Sequence, residues 1–368
     1  MRGSVDQKTR ETFDFDVDFR RPPAGVIRSR APLRVGLAGG GTDVSPYCDE
    51  FGGAILNATI DYYCYTTIEI TADATVEFFS ADQLKTTKYE ARRTLALDGE
   101  MDLFKAVYNY VVRVHNNKRP LSLKLSTQVD VPPGSGLGGS STLVVSMLKA
   151  YAELLSLRFS EYDLANTAYV IERCEAGLQG GKQDQYAAAF GGFNFMEFGA
   201  ENRVLVNPLR IKDWVISEIE ASLILFYTGR SRSSATIIEE QSNNARNRDC
   251  HALDAMHRIR REAWRMKECL LRGDFPSLYG VLQSSWDAKK SMARHISNDL
   301  LDSVYECALN AGAHCGKISG AGGGGFMIFL ADPIRKNQVT EALRSCHSDG
   351  LVFPCHFTSQ GSQAWRVK

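Results

Sequence analysis

The sequence predicts an α+β fold, and three observations carry that reading. Strand-like segments come in groups and are not regularly interleaved with helices. Leu121, Leu123 and Leu125 alternate with polar residues, whereas a central parallel strand is almost continuously apolar. The glycine run Gly320 to Gly325 leads into the apolar stretch Phe326 to Leu330, a strand where a dinucleotide fold requires a helix. A chain of 368 residues suggests two lobes, expected over 26–199 and 200–368. Residues 1–25, closed by Pro22-Pro23, read as a flexible N-terminal extension without the apolar core of a signal peptide.

Val26 to Ala38 reads as a strand entering a first glycine run, Gly36 to Gly41. Ala54 to Ile60 and Tyr62 to Ile70 read as two strands rich in β-branched and aromatic residues. Asp102 to His115 is helical, with Phe104, Val107, Tyr108, Val111 and Val112 on one face. Pro132-Pro133 stops the strand that holds Leu121 to Leu125. A second glycine run, Gly134 to Gly139, precedes a long helix with Leu143, Val144, Met147, Leu148, Tyr151, Leu154 and Leu155 as its stripe. Ser160, with Asp163 in the first turn, caps the next helix.

In the second half, Ser222 to Thr228 forms a short apolar strand. Helical patterns cover Thr236 to Asn244, Leu253 to Leu271 (stopped by Gly273) and Ser277 to Lys289. Another, from Leu300 to Leu309, ends at Gly312. Val352 to Val367 adds a last strand.

Composition narrows the function. Lys+Arg and Asp+Glu both number 43, and zero net charge argues against the broadly basic surface that non-specific nucleic-acid binding needs, while leaving room for a local basic patch. The nine cysteines include no C-x-x-C pair, so neither a disulfide framework nor a zinc site is expected. No apolar run reaches the ~18–20 residues of a membrane span, and a cytoplasmic protein is expected. Oligomeric state, monomer or homodimer, is not written in the sequence.

The three glycine runs are the chemical signal. Clustered glycines let the backbone approach a ligand and aim successive N–H groups at it. Gly134-x-Gly136-x-x-Gly139 and Gly320-x-Gly322-x-x-Gly325 each match the dinucleotide fingerprint, but their contexts do not fit it. An NAD-dependent oxidoreductase is therefore the remote alternative. The second run instead ends in Ser140-Ser141-Thr142 at a helix start. Free N–H groups and the helix dipole favour a phosphate there, and a hydroxyl can reach a phosphate-bound Mg²⁺. Glu172 and Glu175, followed by Gly180-Gly181-Lys182-Gln183-Asp184, supply the carboxylates and positive charge that phosphoryl transfer to an alcohol requires.

These segments resemble the GHMP kinase superfamily, in the family's order. Ala31 to Asp43 resembles the sugar-site motif, Pro132 to Ser141 the phosphate loop, and Lys317 to Gly325 the C-terminal glycine motif. The resemblance spans about Val26 to Leu330. It implies a two-lobed fold with a ribosomal S5-like N-terminal domain and a ferredoxin-like C-terminal domain. It implies an ATP-dependent, Mg²⁺-requiring sugar kinase. By position, Asp184 and Arg34 match the catalytic pair, and Ser140 and Glu172 the Mg²⁺ ligands. Pro133, Gly134, Ser135, Gly136, Leu137, Gly138, Gly139, Ser140 and Ser141 match the nucleotide loop. Gly40, Gly41, Thr42, Asp43, Lys182, Gly322 and Gly323 match the sugar side.

Gly139 replaces a serine usual in the family. Gly40-Gly41 replace the Glu-His of galactokinases, which removes a carboxylate that would repel an anionic substrate. The segments A-G-G-G-T-D and G-G-K-Q-D-Q-Y are most similar to heptose kinases. That similarity implies D-glycero-alpha-D-manno-heptose 7-phosphate as substrate, its 1,7-bisphosphate as product, and a place in lipopolysaccharide or capsule synthesis. A basic group should then hold the 7-phosphate, with Arg28, Arg30, Lys182, Arg230 and Arg232 as candidates. Fucokinases carry similar motifs, so a fucokinase or other sugar 1-kinase is the alternative.

Overall fold

A computed structural model describes residues 25–230 and 234–367. The N-terminal extension, apart from Gly25, and Arg232 lie outside the described residues.

The first sheet is built from long strands. β1 (Val26–Ala38) runs antiparallel to β2 (Gly53–Ile70), with the short helix α1 (Tyr47–Phe51) in the connection. β2 is one continuous strand of 18 residues, not the two expected. The exposed Asp61 at the expected break keeps its place because its backbone N–H donates to the His356 carbonyl. β3 (Thr75–Ser80) and β4 (Lys85–Glu90) form an edge hairpin that the sequence reading does not anticipate. β4 reads Lys-Thr-Thr-Lys-Tyr-Glu, polar enough to resemble a loop, and its half-exposed pattern is that of an edge strand.

α2 (Asp102–Tyr110) continues through a π-helical turn, Val111–His115, to the expected end. β5 (Leu123–Val129) lies antiparallel to β2 and parallel to β3. Its alternating burial agrees with the alternation in its sequence. α3 (Gly139–Leu155) follows the second glycine run. α4 (Glu161–Val170) starts with a full capping box between Ser160 and Asp163 and passes into a second π turn, Ile171–Glu175. α5 (Gln183–Phe190) leads to the hairpin β6 (Phe193–Phe198) and β7 (Val204–Pro208), which joins the inner half of β2.

The second lobe begins with α6 (Asp213–Ser222) and β8 (Leu223–Tyr227). Four helices follow: α7 (Ser234–Arg246), α8 (Cys250–Arg272), α9 (Phe275–Lys290) and α10 (Asp299–Asn310). Asp249, Asp274 and Asn298 cap the last three, and Gly273 ends α8 in the left-handed region. β9 (Ala313–Ile318), β10 (Phe326–Ala331), α11 (Lys336–Cys346) and β11 (Leu351–Phe353) complete an antiparallel sheet of order β11-β8-β10-β9. Numbered within the lobe, that order is 4-1-3-2 with helices after strands 1 and 3, the ferredoxin-like arrangement. β12 (Gln363–Val367) then returns to pair with β1. The expected boundary at 199/200 therefore cuts the β6–β7 hairpin, and the last strand belongs to the first sheet.

The second half of β1 and the first half of β2 are buried on both faces because a core lies on each side of the sheet. Ile27, Ala31, Ile55 and Ile68 pack with α2, α3, α4 and α5. Leu33, Val35, Leu56, Ala58 and Ile60 pack on the other face against α6, α8, α9, β8 and β10. The first sheet is thus shared by both cores, and the glycine runs lie at the seam between the lobes.

Candidate active site

The three glycine runs meet. Phe326 donates its backbone N–H to the Ser135 carbonyl at 2.9 Å, and Arg34 donates its N–H to the Leu137 carbonyl at 3.2 Å. Lys317 Nζ reaches the Gly36 carbonyl at 2.6 Å. A Cβ on Gly320 would stand 2.6 Å from the Gly136 carbonyl oxygen, and one on Gly136 would collide with the Ser319 carbonyl. Bare backbone is what allows the second and third runs to touch. Together they line a cavity of about 560 Å³ that also takes in Asp43, Glu172 and Asp184.

Asp184 sits in the first turn of α5, 21% exposed at its side chain. The Arg34 guanidinium, 4% exposed, donates to Asp184 Oδ1 at 2.7 Å, and its Nη1 holds the Gly136 carbonyl at 2.7 Å. Arg34 is thereby fixed from the strand side and from the loop. Gly138, with φ of +82°, lies directly over the carboxylate: a Cβ there would be 3.1 Å from Asp184 Cγ. Gly138 is also the N-cap of α3, whose first N–H groups have no intrahelical acceptor. Anion-binding donors and a fixed carboxylate therefore share one wall.

Asp43 is buried at 2% exposure, and its Oδ2 accepts from the backbone N–H groups of Lys182 and Gln183 at 2.8 and 3.0 Å. Burial pushes its carboxyl above the ordinary value; the Gln183 and Lys182 N–H groups oppose this, and nearby Asp184 adds to it. Glu172 rises from the second π turn. It accepts from Ser140 Oγ at 2.9 Å, Ser141 Oγ at 2.6 Å and Gln185 Nε2 at 2.7 Å, with Arg173 at 3.3 Å. One carboxylate and an exposed hydroxyl are hard oxygen donors, the type Mg²⁺ takes when phosphates complete its shell. Glu175 is paired to Arg113 at 2.7 Å, outside the cavity lining.

Most residues expected from the sequence line this cavity: Pro133, Gly134, Ser135, Gly136, Gly138, Gly139, Ser140, Ser141, Gly41, Asp43 and Gly322. Leu137 is buried behind the loop and acts through its carbonyl. Thr42 is also behind the wall, its hydroxyl tied to the Gly39 and Ala54 carbonyls, and Gly323 donates to the Ile296 carbonyl. Gly40 borders Lys289 without lining the cavity. Lys182 Nζ is not in the lining. It lies 5.5 Å over the Tyr169 ring, because the backbone of Lys182 is turned to Asp43.

Arg30 bonds Gln363 on the far part of β1, and neither it nor Arg28 or Arg230 lines the cavity. Sequence reasoning missed Arg173, Gln241 and Lys289, which do. Lys289 was legible only as the end of a helix.

Residues 102–192 match the GHMP kinases N terminal domain, and residues 266–349 match GHMP kinases C terminal. The D-glycero-alpha-D-manno-heptose 7-phosphate kinase of Campylobacter jejuni is 48% identical over 342 residues, 93% of this chain and 99% of that protein. A solved structure described as a D-glycero-D-manno-heptose 1-phosphate kinase from Bacteroides thetaiotaomicron is 42% identical, with a TM-score of 0.79 over 93% of this chain and 99% of that one. Galactokinase from Lactococcus lactis, complexed with galactose, shares the fold at 17% identity, with a TM-score of 0.74 over 92% of this chain and 95% of that one. With both domains matched and 48% identity to a kinase along nearly the whole of both chains, the chain belongs to the GHMP kinase family and is an ATP-dependent sugar kinase.

Proposed function

We propose that the chain transfers phosphate from ATP to the anomeric hydroxyl of D-glycero-alpha-D-manno-heptose 7-phosphate, yielding the 1,7-bisphosphate. The observation that carries the chemistry is the Asp184 carboxylate, held by Arg34 and roofed by Gly138 of the phosphate loop. The substrate is supported by the 48% identity to a kinase named for it. The absence of a side-chain carboxylate at Gly40-Gly41 agrees with an anionic acceptor.

In this reading the nucleotide phosphates lie on the N–H groups of the second glycine run and the first turn of α3. Glu172 and Ser140 would hold Mg²⁺, which neutralises charge on the phosphates when bound. Asp184 accepts the hydrogen bond of the anomeric hydroxyl, orients it and receives its proton as transfer proceeds. Arg34 keeps Asp184 in place and adds positive charge beside the transferred group. Asp43 binds a sugar hydroxyl through its remaining oxygen. Loose phosphoryl transfer leaves little covalent work for the protein, so this positioning is most of the catalysis.

The test is turnover with ATP and Mg²⁺ on heptose 7-phosphate, free heptose and fucose side by side. Heptose 7-phosphate should give the highest kcat/KM, with a new anomeric phosphate in the ³¹P spectrum. A preference for fucose would replace this reading with a fucokinase.

A further inference from the structure

Among the described residues, four cationic side chains line the cavity: Arg34, Lys85, Arg173 and Lys289. Three have a carboxylate partner, respectively Asp184, Glu100 and Glu172. Lys289 does not; among the described residues its Nζ bonds the Gly320 carbonyl at 2.6 Å. It is 4% exposed, at the end of α9. A buried ammonium without a counter-charge is costly. Burial, reinforced by repulsion from Arg34, lowers its pKa to about 8, while Asp43 and Asp184 pull the other way.

A second buried polar group faces the same place. Gln241 on α7 is 2% exposed and lines the cavity, and its side-chain amide nitrogen has no hydrogen-bond partner among the described residues. Both side chains converge on the first glycine run. A Cβ on Gly40 would lie 3.5 Å from Lys289 Nζ, and one on Gly41 would lie 3.3 Å from Gln241 Oε1 and 2.8 Å from Met292 Cε. The missing side chains of Gly40 and Gly41 therefore leave the space that Lys289 and Gln241 border. One lone positive charge and one unused N–H donor are the chemistry that recognises a phosphate monoester.

We propose that Lys289 and Gln241 form the subsite for the phosphate group that the acceptor sugar already carries. This inference rests on the proposed function for the sugar's identity, but its core is narrower: the acceptor is a sugar phosphate, and these two residues read its anion. The substrate brings the counter-charge that the folded chain withholds from Lys289. Asp43 and Asp184, the carboxylates nearest in effect, are both engaged, by the start of α5 and by Arg34.

The experiment compares kcat/KM for heptose 7-phosphate and unphosphorylated heptose in the wild type, Lys289→Met, Lys289→Arg and Gln241→Leu. Binding of the sugar phosphate to each protein without nucleotide is measured by calorimetry. The preference for the phosphorylated sugar should fall by about 10²-fold in Lys289→Met and about 10-fold in Gln241→Leu. Lys289→Arg should restore part of it, and calorimetric affinity should follow the same order. A drop of equal size on both acceptors, with the preference intact, would overturn the subsite and make Lys289 a general contributor to transfer. A wild type that prefers an unphosphorylated sugar would also overturn it. A wild type that prefers a different sugar phosphate would sink the heptose reading alone, and the same comparison on that sugar would then test the subsite.

Discussion

The Arg34 guanidinium donates to Asp184 at 2.7 Å with one arm and to the Gly136 carbonyl at 2.7 Å with another. One side chain thereby ties the end of the first strand, the phosphate loop and the carboxylate of α5 into a single unit. Residues 150 positions apart in sequence are set in register by it.

Removing the charge of Asp184 tests its role. Asp184→Asn keeps the shape and loses the proton acceptor. We expect kcat to fall by about 10²–10⁴, equivalent to about 3–5 kcal/mol, with KM for ATP little changed. Steady-state kinetics reads this directly, and near-normal turnover would remove Asp184 from the mechanism.

Gly136→Ala tests the contact between glycine runs. Its φ is +82°, and the added methyl meets the rigid backbone at Ser319. Strain and collision together should cost about 2–4 kcal/mol. A lower Tm and a higher KM for ATP are expected. An unchanged Tm would mean that the two runs are not in contact in solution.

Glu172→Gln should raise the Mg²⁺ concentration for half-maximal activity at least about tenfold, by withdrawing a charged oxygen. It should also shrink the Mg²⁺-dependent rise in Tm measured with ADP. Glu172→Ala should in addition lower stability, because Ser140, Ser141 and Gln185 lose their acceptor. An unaltered Mg²⁺ response in Glu172→Gln would place the ion elsewhere.

Lys289 makes a prediction about pH. Its folded pKa of about 8 lies below the ordinary 10.5, so between these values the unfolded chain binds more protons. This group's cost is then full below pH 8 and fades as pH rises toward 10.5. Lys289→Met should be more stable than wild type near pH 7, by a margin that narrows toward pH 10.5. A margin independent of pH in thermal melts would mean that Lys289 is not charged and buried as described.

How much was legible follows from how local each feature is. Ser140 and Asp184 stand within a few residues of glycines that give them context, whereas only the family resemblance separates Glu172 from Glu175. Lys289 has no such context: beside Lys290 it reads as a basic helix end favoured by the dipole. Its neighbour Gly40 is nearly 250 residues away in sequence, and only the fold joins them. Lys182 misleads for the opposite reason. Its segment resembles the family's motif, but its backbone N–H donates to Asp43 and its side chain turns to Tyr169. The same limit applies to β12, whose pairing with β1 closes a sheet across almost the whole chain.

The most direct measurement is a crystal structure of the protein with heptose 7-phosphate and a non-hydrolysable ATP analogue. The anomeric oxygen should lie within about 3 Å of the Asp184 carboxylate, the nucleotide phosphates on the first turn of α3, and the sugar phosphate beside Lys289. An anomeric oxygen out of reach of Asp184, or phosphates bound away from that helix, would contradict it.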